Sequence, residues 1–183
     1  MRLAAVDVGS NTVHALVADV VRGRLVDVAH YVEMPELGAQ VARTGAIGPR
    51  APTAIRAVRS VVAQARTHNY EALVAGATQA VRQASDRQEF ARAAGDAIGV
   101  PLRIIGAHRA AEMSFLGVAS NHPGRRAWLM AVLGGGSSVP VRVTVRKVVP
   151  SSTCPLRAWY TAVTHLCHPS HHALPARPPR PRA

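Results

Sequence analysis

Aromatic residues make up 4% of this 183-residue chain: two Phe, two Trp and three Tyr. Proteins that read nucleic acids by stacking bases between aromatics and cations are therefore a poor match, and no specific nucleic-acid partner is expected. Lysine is scarcer still: Lys147 stands against 21 arginines, so no lysine-rich helix exists. The two cysteines, Cys154 and Cys167, give neither a disulfide framework nor paired metal-site spacing. No apolar run approaches the ~20 residues needed to cross a bilayer. The N-terminus also lacks a charged region followed by a hydrophobic core and cleavage site. The expectation is a cytoplasmic protein without a membrane partner.

Acidic residues are missing from the whole C-terminal part. All ten lie between Asp7 and Glu112; residues 1–112 hold thirteen basic residues against them, while nine basic residues and no acidic one follow. The formal charge of +12 is thus concentrated in the last third, and the first 112 residues have the charge of an ordinary soluble domain. Residues 150–183 show no sustained period and are rich in Pro, Arg and His. A disordered basic tail is expected there. His168, His171 and His172 could be drawn as a metal site, but a proline-broken segment without carboxylates to orient the rings favours weak, adventitious binding. The tail has the composition of a GC-rich gene translated in a shifted frame; a truncated product or a divergent tail are the alternatives.

The first 120 residues alternate in a regular way. Leu3–Val8, Val13–Val20 and Leu25–Val32 read as three consecutive strands. Residues 51–68 carry Ile55, Val58, Val61, Val62 and Ala65 on one helical face, with Arg56, Arg59 and Arg66 opposite. Ala72–Ala77 reads as a short buried strand and Ala80–Ala84 as one helical turn. Asp86 to Glu89 has the capping-box pattern and opens a helix through Ile98, closed by Gly99. A strand over Leu102–Ile105 and a helix over Ala107–Ala119 follow. This order predicts an α/β fold, a mixed β-sheet with flanking helices, over residues 1–120; residues 121–149 begin a second unit.

Two segments carry chemistry. Leu3–Val6 leads to Asp7, then Gly9-Ser10-Asn11-Thr12, then the apolar Val13–Val20. This is a hairpin whose turn residues tolerate positive φ and leave backbone N–H groups free. Such a turn forms either an ordinary connection or a nest of donors for phosphate, with the carboxylate at the strand end available to Mg²⁺ or a water. A second strand–glycine unit, Ala127–Leu133 followed by Gly134-Gly135-Gly136-Ser137-Ser138, lies about 125 residues on. Two such turns are what a two-lobed phosphate clamp needs, although Val132 stands where the first copy has Asp7.

Residues 5–17, with His14 after the turn, resemble the opening motif of the exopolyphosphatase and guanosine pentaphosphate phosphohydrolase (Ppx/GppA) family. Further landmarks follow in the family's order: Thr44-Gly45-Ala46-Ile47, the block Ala77-Thr78-Gln79-Ala80-Val81-Arg82-Gln83-Ala84, Ile98-Gly99-Val100-Pro101, Phe115-Leu116-Gly117 and Leu133 to Ser138. The resemblance covers about residues 3–138. It implies one lobe of the actin, Hsp70 and sugar kinase fold (ribonuclease H-like) with the start of a second. It also implies Mg²⁺-dependent hydrolysis of terminal phosphoanhydrides in inorganic polyphosphate or guanosine pentaphosphate. By resemblance Gly9, Ser10, Asn11, Thr12, Arg82, Gly134, Gly135, Gly136 and Ser137 bind phosphate, and Asp7 sits by the metal. The family's general base is a glutamate, and alignment on Phe115-Leu116-Gly117 puts Ala110 there. Loss of a positioned base forfeits about 10²–10⁴ in rate, so little or no catalysis is expected of this chain. Glu112 is a substitute candidate about 200° round the helix, and His108 another. A non-catalytic polyphosphate-binding regulator is the competing reading, and the residues do not decide between a monomer and a homodimer.

Overall fold

The structure is a computed structural model that describes residues 1–22, 24–120, 127–133, 138–144 and 147–150, with side chains described for 1–22, 25–114 and 117. The chain divides into two compact units. In the first, β1 (Arg2–Val8), β2 (Val13–Val21) and β3 (Arg24–Glu33) form an antiparallel meander. Then come α1 (Leu37–Thr44), a 3₁₀ turn (Gly48–Arg50), α2 (Ala51–Arg66), β4 (Ala72–Ala77), α3 (Gln79–Gln83), α4 (Arg87–Ile98), β5 (Leu102–Ile104) and α5 (Ala107–Ser120). The strands make one five-stranded sheet in the order β3-β2-β1-β4-β5, with β1, β4 and β5 parallel. In the second unit β6 (Ala127–Leu133), β7 (Ser138–Thr144) and β8 (Lys147–Pro150) form a separate antiparallel sheet.

The period of two in β1 decides which face is covered. Ala4, Val6 and Val8 are buried, while Ala5 and Asp7 between them are exposed. Helix α2 contributes Ala54, Val58, Val61, Val62 and Ala65 to the same core, and α4 contributes Phe90, Ala94 and Ile98. Each fully buried valine in that layer is worth about 1.5–3 kcal/mol relative to exposure. Arg66, opposite the apolar face of α2, donates to the Ile98 carbonyl at 3.0 Å and satisfies an open carbonyl at the end of α4. Gly99, at φ 91°, closes that helix.

One helix adds to the sequence reading and two expectations are corrected. Helix α1 lies where the sequence reading assigned no element, with Leu37, Gln40 and Val41 as its buried face. Asp86 precedes α4 without capping it; its carboxylate accepts the backbone N–H groups of Ile47 (2.9 Å) and Gly48 (2.8 Å), tying the entry of α2 to the start of α4. The β1–β2 turn needs no positive φ at any of residues 9–12. Gly9 is favoured for another reason: a Cβ there would lie 3.1 Å from the Thr12 carbonyl oxygen, a tight approach. The expected tail over 150–183, with its histidines 168, 171 and 172, lies outside the described residues apart from Pro150.

Candidate phosphate site

In a sheet whose central strands run parallel, ligands bind beyond the carboxyl ends of those strands. Here the ends of β1, β4 and β5 lie on one edge and are stitched together by backbone bonds. Thr78 donates to the Val8 carbonyl at 3.1 Å, and Ile105 donates to that of Ala77 at 2.8 Å. The β1–β2 loop leaves from the same edge, α3 begins there after β4, and α5 begins there after β5.

The loop is a rigid feature held from outside. Gly9 donates to the Thr12 carbonyl at 2.9 Å, which closes the turn. The first residues of α1 brace its other carbonyls: Glu36 donates to Asn11 at 3.0 Å and Gly38 to Ser10 at 2.6 Å. Glu36 does so at φ 55°, a left-handed conformation that costs a non-glycine residue about 1–2 kcal/mol. Gly38 allows the approach, since a Cβ there would sit 3.0 Å from the Ser10 Cβ. With these carbonyls taken, the N–H groups of Ser10, Asn11 and Thr12 have no acceptor among the described residues. Three free successive amides are the donor set of an anion-binding nest.

Asp7, the penultimate residue of β1, lies opposite His14 of β2 and Gly76 of β4. Its carboxylate accepts no hydrogen bond and joins no ion pair among the described residues. The residue is open to solvent by surface area, yet protein atoms crowd the carboxyl and push its pKa up. No cluster of three His, Cys, Asp or Glu converges among the described residues, so no all-protein metal cage is built there. One unpartnered carboxylate beside free amides fits an ion that keeps most of its waters and shares itself with phosphate oxygens, as Mg²⁺ does.

Arg82 on α3 reaches across the end of β5, where its Nη1 donates to the Ile105 carbonyl at 2.7 Å. It makes no ion pair among the described residues, so the rest of its donor fork is available to an oxyanion. Beside it, Gln79 buries its Oε1 without a partner. Gln79 lies in the Ala77–Ala84 block that carries the family resemblance, but no motif gave it a role of its own.

The other side of the site is less complete. Ala110 lies in the first turns of α5 and offers no proton acceptor. The Glu112 carboxylate is engaged on its own helix by Arg109 Nη1 at 3.0 Å and His108 Nε2 at 3.4 Å. Gly134, Gly135, Gly136 and Ser137 lie outside the described residues. The shallow concavity lined by Gln88, Arg92, Asp96 and Pro101 opens at the opposite end of β5 and gathers none of these groups.

Two histidines that composition did not single out flank the loop. His14 Nε2 lies 2.7 Å from the Thr12 hydroxyl, and His14 Nδ1 lies 3.0 Å from His30 Nε2. Burial, and then the neighbouring His30, lower the pKa of His14. Residues 10 and 40 add buried polar side chains on either side of the α1 brace.

Residues 16–156 match the Ppx/GppA phosphatase family. The chain is 31% identical over 160 residues to Exopolyphosphatase 2 of Mycobacterium tuberculosis (strain CDC 1551 / Oshkosh), covering 82% of this chain and 50% of that protein. The crystal structure of the Aquifex aeolicus Ppx/GppA family member superposes with a TM-score of 0.73 at 25% identity, over 85% of this chain and 51% of that one. An exopolyphosphatase from Cytophaga hutchinsonii gives a TM-score of 0.75 at 23% identity, over 84% of this chain and 50% of its own, and speaks to the fold alone. The chain spans about half the length of the relatives it matches. The actin-like sheet expected from the sequence is the fold these proteins share with it. No helix among the described residues is long and apolar enough to cross a membrane. The chain belongs to the Ppx/GppA phosphatase family.

Proposed function

We propose that this chain supplies one phosphate-gripping wall for Mg²⁺-dependent hydrolysis of a terminal phosphoanhydride, in inorganic polyphosphate or in guanosine pentaphosphate. The observation that carries the reading is the single edge shared by the free amides of residues 10–12, the unpartnered Asp7 carboxylate and the open fork of Arg82. Anhydride hydrolysis asks little covalent chemistry of a protein. It asks that a polyanion be positioned, that its developing charge be neutralised and that a water be aimed.

In this reading the amides of Ser10, Asn11 and Thr12 grip oxygens of the terminal phosphate, and Arg82 takes one or two more from the side. Asp7 would hold Mg²⁺, which when bound neutralises phosphate charge and templates the attacking water. Gly134 to Ser137 are where the family resemblance puts the opposing donors.

Ala110 favours a second reading, a polyphosphate-binding regulatory protein that does not turn over. Alanine takes no proton, and Glu112 is committed to Arg109 and His108. Phosphate release from tripolyphosphate and from guanosine pentaphosphate, with Mg²⁺, separates the two. The enzyme reading expects slow release that rises by about 10²-fold or more in Ala110→Glu and vanishes in Asp7→Ala. The regulatory reading expects binding that weakens in Arg82→Ala, with no release from either chain.

A further inference from the structure

We infer that His30 is a positioning residue for the phosphate loop: acting through His14, it fixes which way the Thr12 hydroxyl presents its proton. The inference rests on the phosphate-binding reading above and names a second layer behind the loop.

The register of β2 and β3 sets Val32 opposite His14, which puts His30 diagonally beside it on the same face of the sheet. The two rings lie 5.1 Å apart between centroids at an interplanar angle of 23°. His14 is in the middle of a chain of three groups, with its Nδ1 at 3.0 Å from His30 Nε2 and its Nε2 at 2.7 Å from Thr12 Oγ1. A neutral imidazole donates from one nitrogen and accepts at the other, so the bond at one end dictates the role at the other.

Two proton arrangements satisfy those distances. In the first, His30 Nε2–H donates to His14 Nδ1, His14 Nε2–H donates to the Thr12 oxygen, and the Thr12 O–H is left to donate to an anion. In the second, His14 Nδ1–H donates to His30, and Thr12 spends its proton on His14 Nε2. The first keeps both rings in the Nε2–H form, which neutral histidine side chains prefer in water; the second requires the less stable Nδ1–H form of both. His30 is exposed, so water can serve its Nδ1 in the first arrangement. Thr12 therefore stands as a donor beside the free amides of residues 10–12, matched to a phosphate oxygen. An orienting partner behind a group that binds an ion acts in the same way in metal sites, where it fixes tautomer and direction.

The test combines ring ¹⁵N chemical shifts of the histidine-labelled full chain at neutral pH with calorimetric titration of tripolyphosphate. His14 is expected to show a protonated Nε2 and a bare Nδ1. In His30→Phe the donor to Nδ1 is gone, His14 becomes a mixture of tautomers, and tripolyphosphate affinity falls about threefold to tenfold. His30→Gln, whose side-chain amide N–H replaces the lost donor, restores both; a role in packing alone would not be rescued this way. A His14 tautomer that is already mixed, or that is unchanged in His30→Phe while the chain still binds, overturns the relay and leaves the phosphate reading standing. Failure of the wild-type chain to bind tripolyphosphate overturns the phosphate reading, whatever the ring spectra show, and removes the relay's purpose with it.

Discussion

The backbone N–H of Gly38 donates to the Ser10 carbonyl at 2.6 Å, so the first turn of α1 braces the β1–β2 loop from behind. A methyl group on residue 38 would meet the Ser10 Cβ at 3.0 Å and its carbonyl oxygen at 3.3 Å, neither of which is the free end of a flexible side chain. Gly38→Ala is expected to displace the loop by a few tenths of an ångström and to weaken tripolyphosphate binding by up to about tenfold, ~1.4 kcal/mol. Calorimetric titration of the variant checks this, and wild-type affinity would show that the brace does not shape the loop.

Asp7→Asn should separate stability from binding. Crowding raises the Asp7 pKa, so its ionised form is disfavoured in the folded chain relative to the unfolded one. A carboxyl with a raised folded pKa withdraws stability as pH climbs above the usual ~3.9 and through the higher folded value. The neutral variant should therefore melt at or above the wild-type temperature at pH 7 in Mg²⁺-free buffer, and the gap should close below about pH 4. Mg²⁺-dependent tripolyphosphate binding should be lost in the same variant. A lower melting temperature at pH 7 would mean that Asp7 serves the fold rather than the ligand.

Asp86 has the opposite sign. Burial alone would raise its pKa, but the N–H groups of Gly48, Ile47 and Asp86 itself outweigh burial and hold the carboxyl below its ordinary value. Its contribution is then fully present above the unfolded pKa of ~3.9 and is lost as pH falls through the lower folded value. Asp86→Asn should cost about 1.5–3 kcal/mol at pH 7 and flatten the acid limb of stability below about pH 4. Urea midpoints across that range read both effects. An acid limb as steep as wild type would assign the acid sensitivity to other carboxylates.

Much of this architecture was legible because each strand writes its own pattern. The limits of Ala72–Ala77 coincide in sequence and structure, since a buried run between turn residues has little freedom to shift. Helix α1 was hidden because it is short, holds Gly38 in its first turn and stops at Gly45; burial of Leu37 and Val41 outweighs the propensity cost. The Asp86 pattern was misread because its carboxylate finds partners 39 and 38 residues away, which no local rule contains. Asp7, the β1–β2 loop and Arg82 are candidates that motifs alone supply, and the structure sets them at one edge of the sheet. Gly38 and His30 are not, because their contacts exist only once α1 meets the loop and β3 pairs with β2.

Arg82 should not be replaceable by lysine. One arm of its fork holds the Ile105 carbonyl at 2.7 Å, and the guanidinium joins no ion pair among the described residues. A lysine ammonium is a point charge that cannot bridge a backbone carbonyl and a phosphate in the same planar geometry. Arg82→Lys is expected to lose about tenfold in tripolyphosphate affinity, close to the loss in Arg82→Ala. Full retention by Lys would reduce Arg82 to a source of charge.

The most direct measurement is Mg²⁺-dependent tripolyphosphate binding by the full chain, compared with Asp7→Ala and Arg82→Ala at the same salt concentration. Both substitutions leave the nine basic residues after Glu112 untouched, so they distinguish a built site from a polyanion held by general charge. Saturable binding in the wild-type chain that is lost in Asp7→Ala and weakened in Arg82→Ala is the predicted result. No binding, or equal affinity in all three chains, would contradict the account.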